Sequence, residues 1–502
     1  MTAALTRALP AAAVLLPLIA ALVVAAWPRG RRLPAVLPVA ATLASALAAW
    51  AFVPLWRAGV TLESYLLHVT PTVRLHLRVD GLGALYGATV AALWLLALVY
   101  AFGYLHGSEA RGARFHAFLL ACLACLLGVA WAGNLLSFLV FYELFSVLSY
   151  ALIVHEQTRA AVAAGAKYLA YVLVGGSLVL AGVLLVHATA GTLAFTAGGT
   201  LPPDATPTTV RIAFACFAIG FGVKAALVPL HGWVPDAHPA APAPVSALLS
   251  GVMVAAGGVG LVRVVYEVLG AVRLEALGVL PWLAGVAAAT VLIGGLAALA
   301  QPDLKRRLAW STISQMGYLT LGVALGGPAT VAAALAHLVH HAFLKGTLFF
   351  CAGAWIRGAG ARTLHDLRGM AARTPALAAA FALASLGMMG VPPLSGFVSK
   401  WALGAGMLEV GAGWALAVLL LGALLAAGYL LPVVATLYRT DGPGGDAPAA
   451  ADPPTRIRLG AALTVPTLIA AAATLVFGLA AGLPGFPLTL ARQAAASLLG
   501  GG

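Results

Sequence analysis

Residues 220–246 read GFGVKAALVPLHGWVPDAHPAAPAPVS and set one charged residue in a long apolar run. Lys224 has no other charged residue within eleven positions on either side, and Pro229 and Gly232 follow it. Because proline removes a backbone donor and clashes with the preceding turn, we predict that the helix is interrupted at Pro229. An isolated ammonium group inside an apolar helix costs several kcal/mol, so Lys224 indicates a functional site.

The composition of the whole chain is that of an integral membrane protein. Its 502 residues are 62% hydrophobic and only 9% charged. A helix needs about 20 apolar residues to cross ~30 Å of hydrocarbon, and stretches of that length recur from end to end. We predict an all-α polytopic fold with about fourteen transmembrane helices, beginning near residues 8, 34, 80, 113, 133, 165, 210, 241, 277, 308, 329, 376, 413 and 459. The first stretch is followed by basic residues and a second span, so we expect a retained helix and not a secretory signal.

The formal net charge of +13 is interpreted as an orientation signal. Loops that follow odd-numbered spans hold 17 of the 24 basic residues that lie outside spans. By the positive-inside rule these loops face the cytoplasm, and both termini lie on the outer, periplasmic side of a bacterial inner membrane. The basic residues are therefore expected to lie beside the lipid bilayer, and no nucleic-acid partner is expected.

Two short internal matches indicate a repeat. PLHGWV at 229–234 matches PLSGFV at 393–398, an offset of 164, and SVLS at 146–149 matches STIS at 311–314, an offset of 165. About five spans fit into that distance, and an odd number of spans turns the second copy upside down in the membrane. We predict two inverted five-helix repeats in which helices 7 and 12 are both broken by proline and glycine. Broken helices at corresponding places in inverted repeats are typical of an ion site.

The repeat divides the chain into three parts. Residues 1–79 form N-terminal helices 1 and 2 with a connecting loop, and residues 80–440 form the core. The two repeats cover roughly 113–267 and 277–437. Residues 441–502 hold a linker rich in glycine, proline and aspartate, the last helix and a short tail.

Besides Lys224, three other ionisable residues inside predicted spans stand out: Glu143, Lys345 and Lys400. Burial disfavours the charged form of a lysine and a nearby carboxylate favours it. We therefore hypothesise that opening and closing a Glu143–Lys224 pair switches Lys224 between holding and passing a proton. Lys345 and Lys400 have an alternative role, because long cationic side chains near helix ends also extend to the membrane interface. Glu143 is too short to do so.

A histidine cluster precedes Lys345 on the same span. His337, His341 and Lys345 are spaced i, i+4 and i+8, which places them on one helical face. Histidine titrates near physiological pH and can carry protons between lysines, although structural hydrogen bonding is the alternative. No carboxylate shares the span, so a metal site is disfavoured. The pair Cys122 and Cys125 supplies only two of the four ligands that a cluster needs, and we expect neither a metal nor another cofactor.

Several long motifs in this order resemble the antiporter-like subunits shared by respiratory complex I, Mrp-type cation/proton antiporters and membrane-bound hydrogenases. They are VFYELFSVLSYALI at 140–153, VKAALVPLHGWVPDAHPAAPAPVSALLSG at 223–251, QPDLKRRLAWSTISQMGYLTLG at 301–322, HAFLKGTLFF at 341–350 and PPLSGFVSKW at 392–401. The resemblance implies a fourteen-helix core, and it implies that Glu143, Lys224 and Lys400 match the buried relay residues of the family. The layout is most similar to the D-type Mrp subunit, and only about twenty residues follow the last span.

Helix 8 departs from the family pattern. Many members carry a lysine or histidine there, whereas residues 246–262, SALLSGVMVAAGGVGLV, offer nothing titratable before Arg263. A relay between the two halves would need water or residues of helix 11.

Three classes of function follow from these observations. The first is a proton-translocating subunit of a heteromeric membrane complex, of the Mrp type or alternatively of a complex I-like oxidoreductase, a hydrogenase or a bicarbonate-uptake complex. The second, a redox enzyme, is disfavoured because the chain lacks a cysteine set, and GGVGLVRV at 257–264 lies inside a span and not in a dinucleotide-binding turn. The third is a structural scaffold. Protons are the expected ion, because sodium needs several oxygen ligands and Glu143 is the only clear carboxylate deep in a span. Sodium stays open as a second ion.

Overall fold

The computed structural model describes residues 3–28, 35–70, 73–106, 109–439 and 456–500. The predicted linker at 440–456, apart from its last residue, and the basic residues Arg29, Arg31 and Arg32 lie outside the described residues. In chain order the α-helices are α1 (Ala3–Ala25), α2 (Val36–Arg57), α3 (Gly81–Tyr104), α4 (Glu109–Ala130), α5 (Leu135–Ile153), α6 (Arg159–Ala190), α7 (Pro207–Lys224), α8 (Val234–Ala240), α9 (Ala243–Leu248), α10 (Ala255–Arg263), α11 (Ala271–Ala276), α12 (Leu280–Leu299), α13 (Leu304–Ala324), α14 (Pro328–Ala359), α15 (Met370–Arg373), α16 (Pro375–Met389), α17 (Ser395–Glu409), α18 (Gly413–Tyr438), α19 (Ala461–Leu479) and α20 (Pro487–Leu498). Strands β1 (Glu63–His68) and β2 (Arg74–Arg78) form an antiparallel hairpin.

The predicted all-α membrane fold is confirmed. Within the described residues, ten helices are long and apolar enough to cross a membrane, and one of them is the continuous segment Ala243–Val268. That segment includes two π-helical turns, Leu249–Met253 and Val264–Val268. The other predicted spans fall on α13, on α14 and on the pairs α7–α8 and α16–α17, which are more polar or interrupted. The number fourteen therefore stays a prediction.

Both predicted breaks are present. Helix α7 ends at Lys224, and a turn containing Pro229 separates it from α8. The freed backbone is satisfied locally, since Trp233 Nε1 donates to the carbonyl of Val223 at 2.8 Å and the Val228 amide donates to Thr290 Oγ1 at 3.0 Å. This matters because unpaired peptide groups are not tolerated against lipid.

The second break lies between α16 and α17. Gly390 caps α16 in the left-handed region at φ +93°, a conformation that glycine adopts without the steric cost of a side chain. Pro392 and Pro393 follow, and α17 begins at Ser395. Each predicted repeat therefore holds one interrupted helix.

Helix α14 lies at the centre of the bundle. It packs against α3, α13, α16, α17, α19 and α20, and its side chains are buried along most of its length. The bundle is surrounded by helices with exposed apolar side chains, among them Leu184 on α6 and Leu424 on α18. A polar residue on α14 is therefore shielded from lipid by neighbouring helices, so it can serve a site inside the protein.

Small residues let the helices approach closely. A Cβ atom added at Gly220 of α7 would lie 2.6 Å from the Gly175 carbonyl of α6. A Cβ atom at Gly317 of α13 would lie 2.7 Å from the Val291 amide of α12. Such close backbone packing is common in membrane helices, and here it brings the polar faces of α5, α6 and α7 together.

Arg263, the first titratable residue of predicted helix 8, lies in a buried charge cluster. Its guanidinium donates to both carboxylate oxygens of Asp80, which caps α3, and to Glu267 at 2.7 Å. The guanidinium carbon also lies 4.9 Å from the centre of the Phe195 ring. Because its charge is matched by two carboxylates, Arg263 holds the end of this helix against α3.

Candidate functional site

Four of the five lysines in this chain are buried, as are the arginines Arg263 and Arg307. There are five lysines and 23 arginines. Lys224 and Lys345 are completely buried, Lys305 and Lys400 are 5% exposed, and Lys167 has an exposed side chain. Arginine keeps its proton in proteins, whereas a lysine can release one when it is buried. The interior of the bundle therefore contains several lysines, which can exchange a proton.

Lys224 is the last residue of α7 and points toward α5 and α6. Its ammonium group donates to Tyr168 Oη at 2.6 Å and to Ser146 Oγ at 3.3 Å, and it lies 4.3 Å from the centre of the Phe145 ring. The Tyr168 hydroxyl also contacts Ser149 Oγ at 2.6 Å. These oxygens and the negative end of the helix dipole favour the charged form, while burial disfavours it.

Glu143 is near this site without being paired to it. Among the described residues no ion pair joins Glu143 to Lys224, and Oε1 is buried without a hydrogen-bond partner. The carboxylate instead packs against Gly176 of α6, where an added Cβ atom would lie 2.2 Å from Oε1. Glu143 precedes Ser146 by one helical turn, so the hypothesised pair is open in this structure.

Lys345 on α14 occupies a similar site in the second half. Its ammonium group donates to Ser311 Oγ at 2.6 Å and to the Leu308 carbonyl at 3.0 Å. The Ser311 hydroxyl also contacts Tyr429 Oη at 2.8 Å. Ser311 is the residue that the sequence repeat aligns with Ser146, so equivalent serines accept a hydrogen bond from a buried lysine in both halves.

A row of titratable side chains extends from Lys345 along α14 to α17. The rings of His341 and His337 have their centres 6.0 Å apart. His337 Nδ1 contacts Ser399 Oγ at 3.1 Å, and Ser399 directly precedes Lys400. Neither nitrogen of His341 has a hydrogen-bond partner among the described residues. The predicted residues of the second half are therefore brought together.

Lys400 reaches back across the break between α16 and α17. Its ammonium group donates to the Met388 carbonyl in the last turn of α16 at 2.6 Å and lies 5.0 Å from the centre of the Tyr318 ring. Lys224 precedes its proline and Lys400 follows its own, yet each is held at the carboxyl end of a helix that stops at a break. The burial of Lys345 and Lys400 disagrees with the interface alternative for both side chains.

A polar cleft opens at one end of the bundle, which we call the basic end because Arg159, Arg306 and Arg362 lie there. The cleft has a volume of about 880 Å³ and lies between α6, α8, α13 and α14. Its charged lining residues are Glu156, Lys167, Asp236, Asp303, Lys305, Arg306, Arg357 and Arg362. Asp236 accepts a hydrogen bond from Lys167 at 2.7 Å and forms an ion pair with Arg306 at 3.4 Å. Water-accessible charge thus penetrates the basic end.

Sequence reasoning missed several members of these sites. Tyr168, Tyr429 and Ser399 are common residue types in membrane helices, and only their position in the packed bundle gives them a role. Ser146 and Ser311 could have been found, because they begin the two aligned tetrapeptides. Among the described residues no group of three histidine, cysteine, aspartate or glutamate side chains could hold a metal ion.

Residues 132–426 match the family described as NADH:quinone oxidoreductase/Mrp antiporter, TM. This range covers more than half of the chain and contains all the side chains from Glu143 to Lys400 discussed above. The chain belongs to this family. The predicted resemblance is therefore confirmed.

Relatives in the family are known from different complexes. NADH-quinone oxidoreductase subunit N of Desulforudis audaxviator (strain MP104C) is 38% identical over 419 residues, which cover 82% of this chain and 83% of the relative. Hydrogenase-4 component B of Escherichia coli (strain K12) is 34% identical over 357 residues, covering 68% of this chain and 52% of the relative. The chain thus spans about half the length of the second relative.

The fold is shared with a solved antiporter complex. One chain in the structure of the Mrp complex from Dietzia sp. DQ12-45-1b superposes with a TM-score of 0.87 at 27% identity, covering 99% of this chain and 98% of that chain. The present family member is an antiporter-like, proton-translocating membrane subunit of an Mrp-type or complex I-like assembly. Other membrane subunits are therefore its partners.

Proposed function

We propose that this chain moves protons through two buried groups of side chains. Glu143 and Lys224 form the first group, and Lys345, His341, His337 and Lys400 form the second. The observation that carries the proposal is the pair of equivalent serines, Ser146 and Ser311, each bonded to a buried lysine in its own half. A purely structural scaffold has no need of two unneutralised ammonium groups in its interior, because buried charges are costly.

The first group can work as an electrostatic switch. In this structure the Lys224 ammonium group donates to hydroxyl oxygens, one of which belongs to Ser146. Glu143 lies one helical turn before Ser146 on α5. At ~4 Å and an effective dielectric constant near 20, two opposite unit charges attract by ~4 kcal/mol. Movement of the Glu143 carboxylate toward Lys224 would hold the proton there, and movement back to Gly176 would release it.

The second group can pass the proton onward. His341 has both ring nitrogens available, so one nitrogen can accept a proton while the other gives one up. Its neighbours on α14 are Lys345 on one side and His337 on the other. His337 contacts Ser399, which leads to Lys400 at the second break.

The setting we propose is the inner membrane of a bacterium, with both termini outside and the basic end in the cytoplasm. The excess of basic residues on that end supports this orientation. The core would be residues 80–440, with the repeats at 113–267 and 277–437. A D-type subunit of an Mrp assembly is the proposed role, supported by similarity over nearly the whole chain to a chain of the Mrp complex from Dietzia.

Protons are the proposed ion for this chain. The described interior sites are built from lysine and histidine, which exchange protons, whereas sodium is bound through several oxygen ligands. Coupling to sodium, to electron transfer or to bicarbonate uptake would then belong to partner subunits. An optical spectrum of the purified chain tests whether electron transfer belongs to partner subunits. A stoichiometric flavin or cluster absorbance in this chain would contradict that assignment.

Substitution of Lys224 tests the relay. The chain with its partner subunits would be placed in liposomes, and proton uptake driven by an imposed membrane potential would be followed with a pH-sensitive dye. Lys224→Met removes the exchangeable proton but keeps the apolar stem, and Lys224→Arg keeps the charge but does not release its proton. We expect both variants to lose transport.

The exposed lysine supplies a control. Lys167→Met is the same substitution at an exposed lysine of α6, whose side chain is 43% exposed. We expect this variant to transport at nearly the wild-type rate. If Lys224→Met or Lys224→Arg assembled in normal amounts and transported at the wild-type rate, the relay would have to be abandoned.

A further inference from the structure

The two proposed groups are separated by the segment Ala243–Val268, which contains no titratable side chain before Arg263. Arg263 is bound by Asp80 and Glu267 and is therefore not available for exchange. Ser250, in the first π-helical turn, contacts Thr312 Oγ1 at 2.6 Å. Hydroxyl groups alone occupy the place where a proton carrier is missing.

A buried histidine lies next to this segment. His238, in α8, is completely buried, and neither ring nitrogen has a hydrogen-bond partner among the described residues. Its ring centre is 6.4 Å from that of Trp233 and 5.6 Å from that of Phe349. Buried polar atoms without hydrogen-bond partners destabilise the folded protein, so packing alone does not explain a histidine at this position.

On one side, His238 is close to the cleft at the basic end. Pro239, which directly follows His238 in the chain, lines the cleft together with Ala241 and Lys305. The ammonium group of Lys305 donates to the carbonyls of Ala241 at 2.5 Å and Pro239 at 3.1 Å. A buried, proton-bearing lysine thus lies between the water-accessible cleft and the backbone beside His238.

On the other side, His238 faces the row of titratable groups on α14. Phe349, on which its ring is stacked, lies one helical turn from Lys345 on the same helix. The ring is therefore placed between the cleft and the beginning of the row.

We propose that His238 is the carrier that passes protons from the cleft at the basic end to Lys345 and His341, so that the second group is supplied with protons without a titratable residue in helix 8. The proposal rests on the proton-transport function proposed above. The neutral ring accepts a proton on one nitrogen and releases one from the other, and it regains its starting form by rotation or by tautomer exchange. No other reactant is consumed.

The competing explanation is that His238 only fills space between two aromatic rings. The variant His238→Phe distinguishes the proton carrier from the space-filling ring, because phenylalanine preserves stacking and volume but carries no proton. His340→Phe is the matched control: His340 is also completely buried, on α14, but its ring packs toward Phe477 of α19. His238→Gln gives the same comparison with a polar, non-titratable side chain, should the phenylalanine variant fail to assemble.

The assay is proton uptake by the complete complex in liposomes under an imposed potential. We expect His238→Phe and His238→Gln to slow uptake about tenfold or more, which corresponds to a barrier higher by about 1.4 kcal/mol, and His340→Phe to stay within about twofold of wild type. Normal uptake in either His238 variant would overturn the inference. If Lys224→Met also transported normally, the proposed relay itself would fail, so the two failures are distinguishable.

Discussion

Gly176→Ala offers a test of how closely the position of the Glu143 carboxylate is set. The added Cβ atom would lie 2.2 Å from Oε1, whereas ordinary contact begins at 3.4 Å, so the carboxylate must move by about 1.2 Å. The three heavy atoms nearest to that Cβ atom all belong to the Glu143 carboxyl group, which can rotate away. Alanine also favours a helix over glycine by about 1 kcal/mol. The variant should therefore fold at least as well as wild type.

Transport should respond differently from stability. Misplacement of a reacting group by about 1 Å can cost about a hundredfold in rate, so we expect Gly176→Ala to slow proton uptake by about 10- to 100-fold. The measurements are uptake in liposomes and the thermal stability of the complex. Ser177→Ala is the control, because the Ser177 hydroxyl is exposed and bonds only within α6, to the Leu173 carbonyl at 2.9 Å.

A double-mutant cycle decides whether the effect runs through the carboxylate. In a Glu143→Gln background, Gly176→Ala should change uptake little, because the charge whose position matters is already absent. Wild-type uptake by Gly176→Ala alone would refute the reasoning that the carboxylate must be able to return to its position against Gly176. An equal loss in both backgrounds would refute it as well.

Three further outcomes follow from the contacts. Tyr168→Phe removes the shorter hydrogen bond of Lys224, and a hydrogen bond to a charged group contributes about 1.5–3 kcal/mol; slower proton uptake and a lower melting temperature are expected. Arg263→Met leaves the buried Glu267 and the partly buried Asp80 carboxylates unmatched, at a cost of about 3–5 kcal/mol, and immunoblots should show little chain in the membrane. Asp236→Asn breaks only partly exposed ion pairs, worth about 1 kcal/mol or less, so an unchanged melting temperature is expected, and a large loss would contradict that assignment.

The sequence predicted the features that depend on local chemistry. Long apolar runs predict spans, and prolines inside them predict breaks, wherever the rest of the chain lies. The sequence alone therefore placed Lys224 before the break at Pro229 and Lys400 after the break at Pro393. The short repeat also aligned Ser146 with Ser311 before any contact was known, although neither serine was named as a site residue.

Side-chain partners depend on how helices pack, and the sequence could not supply them. Tyr168 meets Lys224 from α6 because glycines bring α6 close to α7. The pairing of Glu143 with Lys224 was hypothesised from charge alone, whereas the rotamer against Gly176 keeps the carboxylate away. Lys400 and Lys224 differ in their spacing from proline, yet the long lysine side chain lets both end beside a helix terminus. His238 lay inside a quoted motif, and only the structure shows that its buried, unpartnered ring lies beside the cleft at the basic end and against Phe349 of α14.

The uneven distribution of lysine makes the chain a convenient subject for chemical labelling. Reagents that acylate amines need an accessible group, and among the five lysines only the side chain of Lys167 is exposed. Lys167 lies at the basic end, which is proposed to face the cytoplasm, so a reagent that does not cross lipid should label Lys167 only from that side. Peptide mass mapping of intact and inverted vesicles would then read the sidedness of the chain directly, without any engineered tag.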